Sequence, residues 1–191
     1  MLEKEIPVSE EFVSAMEKKY QVKFEFTELE GSHYGRPERA AYVRCETFPE
    51  ERVWVRRITA EDGSRNYSDN YMGYVYRERL EAAVKEAAEA AGVDCEAEVS
   101  VMESYIPVSS GPEQGFEEML KEEGTVFSVE ITTRQKINAA DREMILERFR
   151  EKLKERRLRL KGIFRDKGKQ FCFFAMDESY EFLYADWRQG E

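Results

Sequence analysis

The sequence predicts an α+β fold with mainly antiparallel sheets, each covered by helices. Two patterns support this class. From Ser68 to Ala91 apolar residues recur three or four positions apart, and after Gly92 they alternate with charged or polar residues as far as Val101. The first period is typical of an amphipathic helix, and the second of a strand with one buried face. Such a strand must pair in a sheet, and the preceding helix can cover the buried face of that sheet.

The long helix has a signal at each end and an apolar stripe between them. Ser68 or Asp69 can accept a hydrogen bond from the free amide groups of the first turn. Gly92 can adopt the left-handed conformation that often ends a helix. The stripe that we expect to face the core consists of Met72, Tyr76, Leu80, Ala83, Ala87 and Ala91.

The chain before the long helix is predicted to contain one helix and three strands. Ser9 is the expected cap of the first helix. The inner residues of this helix recur four apart and are Phe12, Met16 and Tyr20. Alternating residues predict strands at 22–26, 41–45 and 52–59. A loop at 31–40 and an Asp-Gly turn at 61–64 separate these elements, and the short connections favour antiparallel pairing.

The chain after the alternating segment is predicted to run helix, strand, helix, strand, strand, helix. The first three of these elements are a helix at 116–120, a strand at 127–131 and a helix capped by Asn138. The inner stripe of the capped helix is Ile145, Phe149 and Leu153. The last three are strands at 158–164 and 170–176, joined by a Gly-containing turn, and a short helix from Glu178 to Trp187.

A linker is predicted between two domains. Residues 105–115, YIPVSSGPEQG, contain two Pro and two Gly. The expected N-terminal domain, 1–105, has the order α-β-β-β-α-β, and the expected C-terminal domain, 106–191, has the order α-β-α-β-β-α. Residues 106–109 repeat residues 6–9, IPVS, which indicates either a duplication or two helix starts of similar chemistry. One continuous domain is the alternative.

Composition limits the classes of function. Hydrophobic residues make up 41% of the chain, which is enough for a packed core, and the net charge is −10. A negative chain repels the phosphate backbone, so we expect no nucleic-acid partner. The sequence has no nucleotide-binding, zinc or redox motif, and we expect no cofactor and no metal. The expected partner is a protein or a small molecule, and the oligomeric state stays open.

Groups suited to catalysis are few. The single His33 lies in a loop beside Tyr34 and Arg36, where a general base, an orienting group and an anion clamp can meet. A solvated loop histidine is the alternative interpretation. The cysteines lack CxxC spacing and lie in apolar or alternating runs, which favours buried thiols over one disulfide; they are Cys45, Cys95 and Cys172.

The start of the long helix is a second candidate site. Asp69, Asn70 and Tyr71 lie at its first turn, among further tyrosines. Free amide groups and the partial positive charge of a helix N-terminus can hold an anionic or sugar-like ligand. The alternative is a helix cap surrounded by tyrosines at the edge of the core.

The segment 150–169 is a third candidate, because it contains ten Lys or Arg and three acidic residues. Arg156, Arg157, Arg159 and Lys161 are the residues expected to dock on an anionic surface such as a membrane. The alternative is that these side chains lie on solvent-exposed faces and that acidic residues elsewhere in the fold balance their charge.

One stretch resembles a known group of proteins. SDNYMGYVYRERLEAAV, preceded by a strand and an Asp-Gly turn, is similar to a segment of uncharacterised small extracytoplasmic and lipoprotein-type proteins of Gram-positive, Clostridia-like bacteria. The matching residues are Asp62, Gly63, Ser68, Asp69, Asn70, Tyr71 and Gly73. Met72 stands where the pattern has Leu, and a lipid-bearing Cys near the start is absent. The resemblance implies an extracytoplasmic setting, with the cytoplasm as the alternative, and implies no activity.

Three hypotheses of function follow from these observations. The first is a non-catalytic binding or interaction domain, because the α+β construction is plain while catalytic groups are sparse. The second is a small hydrolase that uses carboxylates or His33. The third is docking on an anionic surface through the basic segment 150–169.

Overall fold

The predicted α+β class is confirmed by the computed structural model, which has a four-stranded antiparallel sheet and a five-stranded mixed sheet, each with helices. The described residues are 7–31, 39–107, 111–167 and 170–189. The chain divides into two compact units. The first is Met1–Tyr74 with Ile106–Gly115, and the second is Val75–Tyr105 with Phe116–Glu191.

In the first unit, one helix packs on an antiparallel sheet whose strands follow the order of the chain. These elements are α1 (Val8–Tyr20), β1 (Phe24–Leu29), β2 (Arg39–Cys45), β3 (Val53–Thr59) and β4 (Arg65–Asp69). The core is built from the predicted stripe of α1 and the inner strand residues, including Phe12, Met16, Val43, Val53 and Val55. Ser9 lies inside α1 and not at its cap, because the helix begins one residue earlier and Pro7 holds the cap position.

Strand β4 is absent from the predictions, which place Ser68 at the start of the long helix. The structure instead pairs β4 with β3, from Arg65 opposite Thr59 to Asp69 opposite Val55. The Asp-Gly turn forms the hairpin that makes this pairing possible, with Gly63 at a φ of 82°. The strand ends where its backbone leaves the sheet to enter the helix.

The long helix α2 spans Tyr71–Ala90 and begins in the first unit. The side chain of Asp69 accepts a hydrogen bond from the amide of Tyr71 at 3.0 Å, as the cap prediction required. Gly92 ends the helix with the predicted positive φ, 95°. Most of the expected stripe is buried, and the buried positions of α2 in the second unit are Leu80, Val84, Ala87 and Ala88.

The second unit is a five-stranded sheet in chain order. Its strands are β5 (Cys95–Tyr105), β6 (Val126–Thr133), β7 (Leu160–Arg165), β8 (Gln170–Met176) and β9 (Phe182–Gln189). Strand β6 pairs with β7 in parallel, and the other neighbours are antiparallel. Its short helix α3 spans Phe116–Met119, and α4 (Arg142–Glu155) connects the parallel pair. A parallel pair needs such a crossover.

Helix α4 covers one face of this sheet. The ring of Phe149 contacts those of Phe164 on β7 and Phe174 on β8, at centroid distances of 6.1 and 6.2 Å. Asn138 was predicted to cap α4 but does not. A 3-10 turn at 139–141 precedes the helix, and the side chain of Asn138 donates to Asp141 at 3.3 Å.

The predicted last helix, Glu178–Trp187, is wrong. The structure has a turn followed by β9. The carboxylate of Asp177 accepts hydrogen bonds from the amides of Ser179 and Glu181 at 2.8 and 2.9 Å, which folds the chain back tightly. β9 therefore continues the sheet beside β8, and this pairing outweighs the helical spacing of its residues.

The division into units differs from the predicted boundary at residue 105. Residues 75–105 were expected with the first half, yet they belong to the second unit because β5 pairs with β6. The amide of Val99 also donates to the carboxylate of Glu81 on α2 at 3.1 Å, which satisfies a group at the sheet edge. Ile6 of the first IPVS segment and Val108 and Ser109 of the second lie outside the described residues.

Gly162 allows close strand contact in the second unit. A Cβ added at this position would lie 1.8 Å from the carbonyl oxygen of Val129 on the adjacent strand. We expect Gly162→Ala to lower the free energy of unfolding by about 2–4 kcal/mol, because the strands have to separate. Urea unfolding followed by circular dichroism measures this loss. Gly31→Ala is the control, since nothing lies within 4 Å of its added Cβ. Equal stability of both variants would contradict the account.

Candidate functional site

The face of the five-stranded sheet opposite α4 carries a pocket of about 540 Å³. Strand residues alternate between faces, so Ile163 and Phe173 point away from their neighbours Phe164 and Phe174, which contact α4. The pocket is lined by Ile163 and Phe173 and therefore lies on the face opposite α4.

Strand pairing arranges the pocket residues in two rows. One row, across β5 to β8, consists of Glu98, Glu130, Ile163 and Phe173. The adjacent row, across β5 to β7, consists of Ser100, Ser128 and Lys161. Carboxylates thus lie on the β5 and β6 side, while the ammonium group and the apolar side chains lie on the β7 and β8 side.

An irregular stretch of β5 forms a wall of the pocket. The register against β6 shifts between Ser100 and Tyr105. The hydroxyl of Ser104 donates to the carbonyl of Ser100 at 2.7 Å and accepts from the amide of Ser128 at 3.0 Å. The hydroxyl of Ser128 donates to the carboxylate of Glu103 at 3.1 Å. Side chains therefore replace lost ladder bonds, as is common where a bulge borders a site.

The charged groups of the pocket differ in their partners. The carboxylate of Glu130 pairs with the guanidinium of Arg165 at 2.5 Å. Within the described ranges, the side chains of Glu98 and Lys161 form no ion pair or hydrogen bond. Two groups of opposite charge are therefore available to a ligand.

Two apolar side chains line the pocket. Ile163 is half-buried, and Phe173 is 38% exposed although it is a large aromatic residue. The guanidinium of Arg188 on β9 lies 5.9 Å from the centroid of the Phe173 ring. A concave surface with apolar side chains and a few convergent polar groups is the usual form of a binding pocket.

The predicted loop site cannot be placed on this frame. His33, Tyr34 and Arg36 lie outside the described residues.

The second predicted set, Asp69, Asn70 and Tyr71, is brought together at the start of α2, and all three residues are buried. The carboxylate of Asp69 accepts hydrogen bonds from the hydroxyl of Tyr20 at 2.7 Å and from the ammonium of Lys19 at 2.8 Å. It also accepts the bond from the amide of Tyr71. The position at which a helix can hold an external anion is thus occupied by the protein's own carboxylate.

Aromatic rings surround this carboxylate. The rings of Tyr20 and Tyr71 have centroids 4.4 Å apart, and Phe24 and Phe48 contact the ring of Tyr71. Burial raises the pKa of the Tyr20 hydroxyl above its ordinary range, and the charge and hydrogen bond of Asp69 add to this effect. Burial also raises the pKa of Tyr71. The carboxylate of Asp69 is therefore hydrogen-bonded within the protein, at the edge of the core.

The four basic candidates are distributed over different environments. Arg156 is exposed and lies 2.8 Å from a carboxylate oxygen of Glu86, and Arg157 is exposed. Arg159 is only 6% exposed and donates to a backbone carbonyl at 2.6 Å. Lys161 lines the pocket. The expected surface therefore lacks Arg159, which is buried.

Sequence reasoning missed most of the pocket. The alternation of residues correctly placed Glu98 and Ser100 on the solvent-exposed face of their strand, but it did not identify their partners on the neighbouring strand. The partners Ser128 and Glu130 come from another strand, and Phe173 belongs to a run that is apolar at every position. No sequence motif marks these residues as a group.

Metal and thiol chemistry have little support in the described part of the chain. It contains no group of three or more His, Cys, Asp and Glu side chains able to hold a metal ion. Cys45, Cys95 and Cys172 are buried and free, as predicted. Burial raises the pKa of Cys95 to about 11 and that of Cys172 to about 12, which disfavours the reactive thiolate. Within the same ranges, no helix has the length and apolar character of a membrane span.

Comparison with known proteins gives one structural likeness. No protein-family profile matches the sequence, and no curated protein matches it. The structure is similar to that of a DUF5037 family protein from Ruminococcus gnavus ATCC 29149. The two chains share 11% identity with a TM-score of 0.43, and the match covers 84% of this chain and 76% of the other.

Asp69 is expected to be a stability determinant of the first unit. Asp69→Ala leaves the buried Tyr20 hydroxyl, the Tyr71 amide and the Lys19 ammonium without their shared acceptor. We expect the free energy of unfolding to fall by about 2–4 kcal/mol. Chemical denaturation monitored by tyrosine fluorescence measures the change. Glu50→Ala, at an exposed turn, is the control and should lie within about 0.5 kcal/mol of the wild type. A small effect of Asp69→Ala would show that the cluster is not structural.

Proposed function

We propose that this protein is a non-catalytic binding domain whose ligand occupies the pocket on the face of the five-stranded sheet opposite α4. The observation that carries the proposal is the pocket itself, which is lined by two uncommitted charges and two apolar side chains. Its volume of about 540 Å³ falls within the range of small-molecule sites.

The construction of the pocket supports binding. The lining side chains project from paired strands, and a site on a sheet is held more rigidly than one on a loop. Gly162 keeps β6 and β7 close beneath it, and the bonds of Ser104 fix the irregular wall. The backbone frame and the irregular wall are therefore fixed before a ligand arrives, which lowers the entropic cost of binding.

A hydrolase is the second candidate function, and one contact favours it. The hydroxyl of Ser128 donates to Glu103 at 3.1 Å within the pocket, as a nucleophile does to its base. Binding is the better-supported function because a carboxylate is in general a weak base for a serine hydroxyl. In addition, the backbone amide of Ser128 donates to the hydroxyl of Ser104, which gives Ser128 a structural role in the wall of the pocket.

An extracytoplasmic location is a further part of the proposal. It is supported by the resemblance of residues 62–73 to lipoprotein-type proteins and by nothing else in the fold. Fractionation of native cells, followed by immunoblotting, should find the protein outside the cytoplasm. Recovery with a cytoplasmic marker enzyme would reject this location and leave the binding proposal untouched.

Blocking the pocket should abolish ligand binding without unfolding the protein. Ser100 is exposed, lines the pocket and has a small side chain, so Ser100→Trp fills the cavity from the solvent side. A fragment library screened by amide NMR should give compounds that shift residues 98–100, 128–130 and 161–163 in the wild type. These shifts should disappear in Ser100→Trp.

Thr132→Trp is the matched control. Thr132 is exposed on β6 but does not line the pocket, so this variant should keep the shifts. If no fragment shifts the pocket residues, the proposal is rejected. A fluorophosphonate probe distinguishes the hydrolase: covalent labelling that is lost in Ser128→Ala would show an activated nucleophile and replace the binding function with catalysis.

A further inference from the structure

We infer that the ligand of this pocket is a short peptide with free amino and carboxyl ends. This inference rests on the proposed binding function and names the ligand class of the same site. It follows from the position of the two uncommitted charges, the groups between them and the two apolar side chains beside them.

The spacing of the charges is set by the sheet. Glu98 lies on β5 and Lys161 on β7, with β6 between them. Lys161 is level with Ser128, which faces Ser100, and Ser100 is two residues from Glu98. At about 4.8 Å between strands and about 3.3 Å per residue, the two Cα atoms are about 12 Å apart.

A tripeptide matches this separation. An extended chain spans about 3.3–3.6 Å per residue, so three residues cover about 10–11 Å between an ammonium and a carboxylate. The long side chains of Glu98 and Lys161 can adjust to the remaining difference. A simple cation or anion uses only one of the two charged groups.

The charges also set the direction of the peptide. Glu98, Glu103 and Glu130 lie on the β5 and β6 side, whereas Lys161 lies on β7. The amino end should therefore lie over β5 and β6, and the carboxyl end should approach Lys161. Between these ends, the hydroxyl of Ser100 is available to peptide groups.

The apolar side chains favour an apolar middle residue. Ile163 lies beside the diagonal between Glu98 and Lys161, since it belongs to the Glu98 row on β7, and Phe173 lies one strand farther, on β8. An aromatic or aliphatic side chain at the centre of the peptide can pack on Ile163 and extend toward Phe173, which is 38% exposed. Peptides with an apolar central residue should therefore bind more tightly than triglycine.

The experiment compares three forms of one peptide against five proteins. The peptides are Gly-Phe-Gly, N-acetyl-Gly-Phe-Gly and Gly-Phe-Gly-amide, titrated at low salt near neutral pH and followed by amide NMR. The proteins are the wild type, Glu98→Gln, Lys161→Met and the controls Glu178→Gln and Lys121→Met. Glu178 and Lys121 are exposed residues outside the pocket lining.

The expected result is a specific pattern of lost affinity. In the wild type and both controls, blocking either end should weaken binding by about threefold or more, as expected for exposed charge pairs. In Glu98→Gln the acetylated and free peptides should bind equally, while sensitivity to the amide persists. In Lys161→Met the reverse should hold, with the amide and free peptides equal.

Other results overturn the inference in distinguishable ways. If blocked and free peptides bind the wild type equally, the charged ends are not recognised and the ligand class is wrong. If the peptides do not shift pocket residues while fragments sensitive to Ser100→Trp do, the binding function stands and the peptide inference fails. If neither peptides nor fragments shift these residues, both the inference and the proposed function fail.

Discussion

The parallel pairing of β6 with β7 is the constraint on which the site depends. Two parallel neighbours need a crossover, and α4 supplies it on one face of the sheet, where Phe149 packs against Phe164 and Phe174. With the crossover on that face, the described chain leaves the opposite face uncovered. The same pairing brings Ser128 level with Lys161, so one interaction decides both where the pocket lies and which groups share it.

Local irregularities shape the pocket on this frame. Gly162 accepts an approach of the Val129 carbonyl that no side chain permits, and the register shift in β5 turns Glu103 toward Ser128. A regular five-stranded sheet would present a smooth twisted surface. Here the close contact at Gly162 and the bulge in β5 make that surface irregular. Hydrogen bonds of the serine hydroxyl groups replace the backbone hydrogen bonds that the bulge interrupts.

In the first unit, a group of the protein itself occupies the predicted ligand site at the start of α2. The start of α2 has the free amides, positive end and aromatic surroundings that suit an anionic ligand. The carboxylate of Asp69 takes that position, because the β3–β4 hairpin delivers it there and because Tyr20 and Lys19 of α1 donate to it. Satisfied polar groups in a core have little left to offer a ligand, whereas the charges of Glu98 and Lys161 remain available.

The sequence by itself determined the fold class, the helix α2 with its Gly92 terminus and the faces of most strands, because periods of 3.6 and two residues are local properties. It missed β4 and β9, since each of these strands forms only because a neighbour, β3 or β8, offers a partner. It also assigned residues 75–105 to the wrong half, because nothing local reveals that β5 pairs with β6. Only the tertiary structure decided the strand neighbours, their register and thus the pocket, because these depend on hydrogen bonds between residues far apart in the chain.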